Sequence, residues 1–191
     1  MPRRSINFEP GYYHLYNRGN NKNDIFHNPN DYGFFINILN YNRRVCCVNI
    51  VCYCLMPNHF HLFIHTDENS RPIEFMKRIQ MLYAKYLQEN HGLIGHAFQG
   101  RYKAKPIIQE NQFLYLSAYI HANPKSSGIV QNLRQWQWSS FLDYVGLRNG
   151  KLPEKDLILS YFASPREYGE WVDFIGQDKL QKKLESLTLE D

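Results

Sequence analysis

VNIVCYCLMPNHFHLFIH, residues 48–65, decides the fold. Val48 to Leu55 is β-branched and apolar, which predicts a strand buried on at least one face. Met56-Pro57-Asn58 reads as a tight turn, and His59 to His65 returns as the antiparallel partner. Side chains alternate along a strand, so Phe60, Leu62 and Ile64 point one way while His59 and His61 point the other. The apolar row can pack on helices. The histidine row sets two imidazoles about 6–7 Å apart at their Cα atoms, close enough to converge on one cation. Two ligands of this kind leave a divalent metal open positions for phosphate oxygens. Chemistry built on three alternating histidines is disfavoured, because position 63 is Phe63.

Upstream of this hairpin, Gly11-Tyr12-Tyr13-His14-Leu15-Tyr16-Asn17-Arg18-Gly19 is an aromatic-rich strand closed by a glycine turn. Asn30-Asp31 offers an N-cap to a helix through Phe34, Phe35, Ile38 and Leu39. Downstream, Phe75, Ile79, Leu82, Tyr83, Tyr86 and Leu87 recur at helical spacing between about Pro72 and Asn90. Tyr102 to Ile108 predicts a fourth strand. Asn111 to about Ala122 predicts a third helix, ended at Asn123-Pro124 because a residue before proline is pushed out of helical geometry. The order β-α-β-β-α-β-α is that of a split βαβ unit. It predicts an α+β, ferredoxin-like antiparallel sheet with helices packed on one face. Residues 1–149 form that domain, and residues 150–191 form a C-terminal helical extension ending in Glu- and Lys-rich sequence.

Bulk properties exclude little. Hydrophobic residues make up 43% and charged residues 21%, an ordinary globular balance. The net charge of +4 permits a nucleic-acid partner without demanding one. The aromatic content, 14 Tyr, 12 Phe and 3 Trp, supplies ring faces on which bases could stack, or simply a Tyr-rich core. No apolar run approaches a membrane span, and Met1-Pro2-Arg3-Arg4 leads into no apolar signal region, so a cytoplasmic protein is expected. Cys46, Cys47, Cys52 and Cys54 lack zinc-finger spacing and read as small buried hydrophobes.

A second constellation is Tyr119-Ile120-His121-Ala122-Asn123-Pro124. Tyr119 and Asn123 are four apart, so one helix face can carry both. A phenol is a poor nucleophile unless its proton is removed or its oxyanion stabilised, which a nearby metal could help achieve. Tyr115, one turn earlier, is a rival that spacing does not eliminate. His121 points about 200° away from Tyr119 around a regular helix.

Met56-Pro57-Asn58-His59-Phe60-His61-Leu62 resembles the signature of the IS200-like transposases, of the HUH class. The chain is most similar to the REP-associated tyrosine transposases among them. Tyr16-Asn17-Arg18-Gly19-Asn20-Asn21, Phe98-Gln99-Gly100-Arg101-Tyr102-Lys103, the Tyr119–Pro124 stretch, and Trp138-Ser139-Ser140 with Tyr144 carry the same resemblance in order. It implies His59 and His61 as metal ligands, Asn123 as a helix-borne polar ligand and Tyr119 as nucleophile, with Mg²⁺ or Mn²⁺ bound. It further implies cutting and rejoining of single-stranded DNA at hairpin-flanked sites through a 5′-phosphotyrosine. Arg18, Arg101, Lys103 and Lys105 are candidates for phosphate contacts, with Tyr16 or Tyr102 for stacking. A monomer is favoured over a homodimer, nucleoid-associated when bound to DNA. The alternative is a domesticated, catalytically silent protein that binds hairpin DNA.

Overall fold

In the computed structural model, residues 7–176 are described. Among them, four antiparallel strands form one sheet in the order β2-β3-β1-β4: β1 (Gly11–Arg18), β2 (Asn49–Met56), β3 (His59–Thr66) and β4 (Lys103–Ile107). That order is what a split βαβ unit requires, with the β2–β3 hairpin slotting β3 against β1. Pro57-Asn58 is the turn, and Met56 stands opposite His59. The Glu- and Lys-rich end of the expected extension lies outside the described residues.

Helix α1 (Pro29–Val45) starts two residues earlier than expected, because Asn28 is the better cap. The Asn28 side chain accepts from Asn30 N, while the Asp31 carboxylate accepts from the backbone of His27 and Asn28. This reciprocal cap, with Pro29 at the first helical position, satisfies amides that would otherwise be orphaned. Helix α2 (Pro72–His91) ends on Gly92, whose φ of 63° is left-handed and suits a residue without Cβ.

Alternation on the strands sorts the core into two layers. Leu15, Tyr53, Leu55, Phe60, Leu62 and Ile64 pack with α1 and α2. Cys52, Cys54, Met56 and Phe63 face the other way, against helix α3 (Glu110–Ser126). The expected one-sided helix layer therefore describes α1 and α2 only. The physical reason is that the second face is also apolar at β2 and must be covered. Two short helices, α4 (Phe141–Tyr144) and α5 (Asp156–Leu159), and helix α6 (Pro165–Ile175) complete this layer. Val172 and Ile175 of α6 are fully buried in the cluster that holds α3. Along the outer edge of β2, Leu55 N donates to Trp138 O and Ser140 N to Tyr53 O, so the edge amides are occupied.

A further expectation is overturned: α3 does not stop at Asn123 but runs through Pro124 to Ser126. Pro124 costs the bond to one carbonyl, but it sits in the last turn, where the chain recovers contacts. Its own carbonyl accepts from Ile129 N, and Ser127 N bonds Asn123 O. The turn is also clamped to α6 through a 2.6 Å ion pair between Lys125 and Asp173. Cys47 departs from the buried-cysteine expectation too, being exposed just beyond α1 while Cys46, Cys52 and Cys54 are buried. No helix among the described residues is long and apolar enough to cross a membrane.

Candidate active site

The face of the sheet that α3 covers carries the histidines. On β1, Tyr12, His14 and Tyr16 alternate onto it, and the register sets Tyr16 opposite His61. His59 and His61 stand with ring centroids 4.9 Å apart and planes at 87°. From above, the Tyr119 ring meets His61 edge-on at 5.6 Å and His14 at 6.3 Å. Tyr115 does not enter this group. It packs beside Trp171 of α6, 5.5 Å between centroids, half-exposed on another side of the helix.

Both expected ligand imidazoles have one ring nitrogen already engaged. His59 Nδ1 donates to the Asn58 Oδ1 at 2.6 Å, and His61 Nδ1 lies 2.9 Å from His14 Nε2. On His61 this leaves Nε2 for a ligand, whereas His59 is hydrogen-bonded to Asn123 as well. Burial pushes the His59 pKa down to about 4; a hydrogen bond with Asn123 opposes this and the nearby Arg18 charge adds to it. His61 is held well below the ordinary value by burial first, then by His59 and His14. Burial likewise brings His14 to about 3, helped by the Lys105 charge. Neutral imidazoles are the form that binds metal.

The donor set fits a small divalent cation. Among the described residues no group of three or more His, Cys, Asp or Glu is placed to hold a metal. The residues that could hold such an ion are His59 and His61 with the amide of Asn123, which is buried and hydrogen-bonds His59. Such a set is neutral, and it leaves coordination positions for phosphate oxygens.

A cavity of about 560 Å³ opens beside this group, walled by His59, His61, Tyr119 and Tyr16. Arg18, Lys22, Arg101 and Lys103 line it and no carboxylate does. Gly100 is left-handed at φ 70°, which lets the turn from Phe98 to Arg101 fold back onto the end of β1. Gln99 N donates to Arg18 O, and Arg18 Nε donates to the Gln99 side chain at 2.5 Å. Lys105 stands opposite His14 on the same sheet face rather than on the cavity wall.

Tyr102 departs from expectation. Only 7% exposed, it packs with the α1–α2 core layer, so its ring faces are not open to a base; Tyr16 keeps that possibility. His121 turns away from the site as expected, its Nδ1 2.6 Å from the Tyr168 hydroxyl and its Nε2 2.7 Å from Ser140 Oγ. Sequence reasoning missed His14, Lys22 and Asn58 as neighbours of the histidines. The alternation of His14 with Tyr12 and Tyr16 was a visible signal, but its contact with His61 depends on the β1–β3 register.

A family model described as "Transposase IS200 like" matches residues 7–123, more than half of the chain. A solved structure described as a REP-associated tyrosine transposase bound to a REP hairpin is similar in fold, with a TM-score of 0.64 at 15% identity. The match covers 81% of this chain and 98% of that one. A second solved structure, a putative transposase from Deinococcus radiodurans, has a TM-score of 0.44 at 14% identity over 59% of this chain and 91% of that one. No curated protein matches the sequence.

Proposed function

The chain belongs to the IS200-like transposase family, and from that premise we propose that its cavity cuts and rejoins single-stranded DNA at hairpin-flanked sites. The observation that carries this reading is the placement of the Tyr119 phenol edge-on to His61, with both imidazoles and the phenol lining one cavity that Arg and Lys side chains also line. His59, His61 and Asn123 would hold Mg²⁺ or Mn²⁺. When bound, the ion supplies Lewis-acid polarisation of the scissile phosphate.

The residues of the chain do the rest. Arg18, Lys22, Arg101 and Lys103 draw the phosphate backbone into the cavity, and Tyr16 offers a ring face for a neighbouring base. The buried rings around Tyr119 hold its hydroxyl in one orientation for in-line attack. A Tyr119 Oη–P bond forms as the P–O3′ bond breaks. The phenolic proton is lost, the departing 3′ oxygen gains one, and the DNA 3′ of the cut stays on the protein as a 5′-phosphotyrosine. Attack by a second 3′-hydroxyl reverses these changes and reseals the strand, because the phosphodiester energy is conserved. The protein acts on single-stranded or hairpin DNA, as a monomer, in the cytoplasm.

The test is adduct formation. End-labelled single-stranded hairpin oligonucleotides from repeats flanking the gene are incubated with protein and Mn²⁺ or Mg²⁺, then run on denaturing gels. An adduct retaining the 3′ portion is expected for the wild type and for Tyr115→Phe. Tyr119→Phe and metal-free samples should give none. An adduct surviving Tyr119→Phe would move the nucleophile elsewhere. Tight hairpin binding without any adduct would make the protein a silent DNA binder.

A further inference from the structure

His14 is fully buried on β1, opposite Phe63 on β3 and Lys105 on β4, and diagonal to His61. Its ring is near-parallel to that of His61, with centroids 5.1 Å apart and planes at 25°. The contact between them is His14 Nε2 to His61 Nδ1, 2.9 Å. Only one of those nitrogens can carry the shared proton when both rings are neutral.

The two arrangements have opposite consequences. If His14 donates, His61 carries its own proton on Nε2, the atom turned to the cavity, and that lone pair is blocked. If His61 donates from Nδ1, its Nε2 presents a lone pair. His14 then carries its proton on Nδ1, an atom with no hydrogen-bond partner among the described residues. An imidazole left alone in water favours the proton on Nε2, so the ligand-competent form of His61 needs an acceptor at Nδ1. A carboxylate would serve, but here it would be a buried charge among Phe63, Tyr16 and Tyr119; a neutral imidazole accepts without burying a charge, at the smaller cost of its own unpaired Nδ1–H.

We propose that His14 is a positioning residue that accepts the Nδ1 proton of His61, fixing the tautomer and ring orientation in which His61 Nε2 can ligate a divalent cation. His59 has the equivalent support from Asn58, supplied by the hairpin turn itself. The outer partners of the two ligands thus come from different elements. That of His61 exists only once β1 is paired with β3. The inference rests on the metal-dependent reading above.

Two measurements test it. In metal-free protein with ¹⁵N-labelled histidines, ring-nitrogen shifts of His61 should show Nδ1 protonated and Nε2 bare. In His14→Phe, which keeps the ring and removes the acceptor, the proton should move to Nε2. Mn²⁺ affinity by calorimetry should then fall about 10–100-fold. His14→Gln, whose amide oxygen can take the place of Nε2, should restore most of both signals, and it carries the test should the Phe variant not fold. A wild-type His61 protonated at Nε2 overturns the proposal. So do unchanged Mn²⁺ binding in His14→Phe and equal losses in the Phe and Gln variants, the mark of packing alone. Wild-type protein that binds no Mn²⁺ overturns the metal-dependent reading and the proposal with it, whereas normal wild-type binding with an indifferent Phe variant overturns the proposal alone.

Discussion

Two of the charged residues at the cavity are placed by the sheet. Arg18 is tethered to Gln99, and Lys103 comes from β4 at the position facing Tyr16. Charges fixed on strand ends in this way can track a phosphate backbone without ordering it first. Their contribution should therefore appear as counterion release. Arg101→Ala and Lys103→Ala should each lower the slope of log K against log salt for single-stranded DNA by about 0.7, across all sequences alike. Fluorescence anisotropy over a salt series measures this. An unchanged slope in both variants would put the strand somewhere else on the surface.

At the level of elements, α3 is caught between two demands. One side lays Tyr119 over the histidines, and the other sends His121 into a buried chain with Tyr168 of α6 and Ser140. Ser140 in turn accepts from Tyr53 N on β2. The helix that carries the tyrosine is thus registered to the sheet through groups that lie off the cavity wall. Tyr168→Phe removes the 2.6 Å partner of His121 and leaves a buried ring nitrogen unsatisfied. That should cost about 1–3 kcal/mol, read as a lower urea midpoint with an unchanged m-value. A neutral outcome would mean that His121 finds another partner once the hydroxyl is gone. Pro124 belongs to the same account, because the last turn of α3 that holds it lies beside α6, with Lys125 and Asp173 paired across the two helices.

The whole molecule buries several neutral imidazoles, and its stability should depend on pH accordingly. His14 and His121 are each brought to about 3 by burial, with charge from Lys105 and Arg148 respectively adding to the shift. In the unfolded chain they titrate near the ordinary 6.5. Between those values the unfolded state binds protons that the native state does not, so stability falls as pH drops below about 6.5. Each group contributes a slope of up to about 1.4 kcal/mol per pH unit. Urea unfolding between pH 7.5 and 5 should show the decline, and His121→Gln should flatten it by about one proton. A flat profile would mean that these histidines are not buried neutral. What the sequence by itself determined is whatever a few neighbouring residues encode. The alternation of Phe60, Leu62 and Ile64 against His59 and His61, the Pro57-Asn58 turn, the helical repeat from Phe75 to Leu87 and the order of elements are all local, since side-chain direction follows backbone period. What the tertiary structure alone decided is what those directions meet: His14 reaching His61 across 47 positions, Tyr115 turning to Trp171 while Tyr119 faces the histidines, Tyr102 packing inward, and α3 passing Pro124. Those outcomes depend on strand register and on helices packing against each other, and neither is written in the spacing of any single segment.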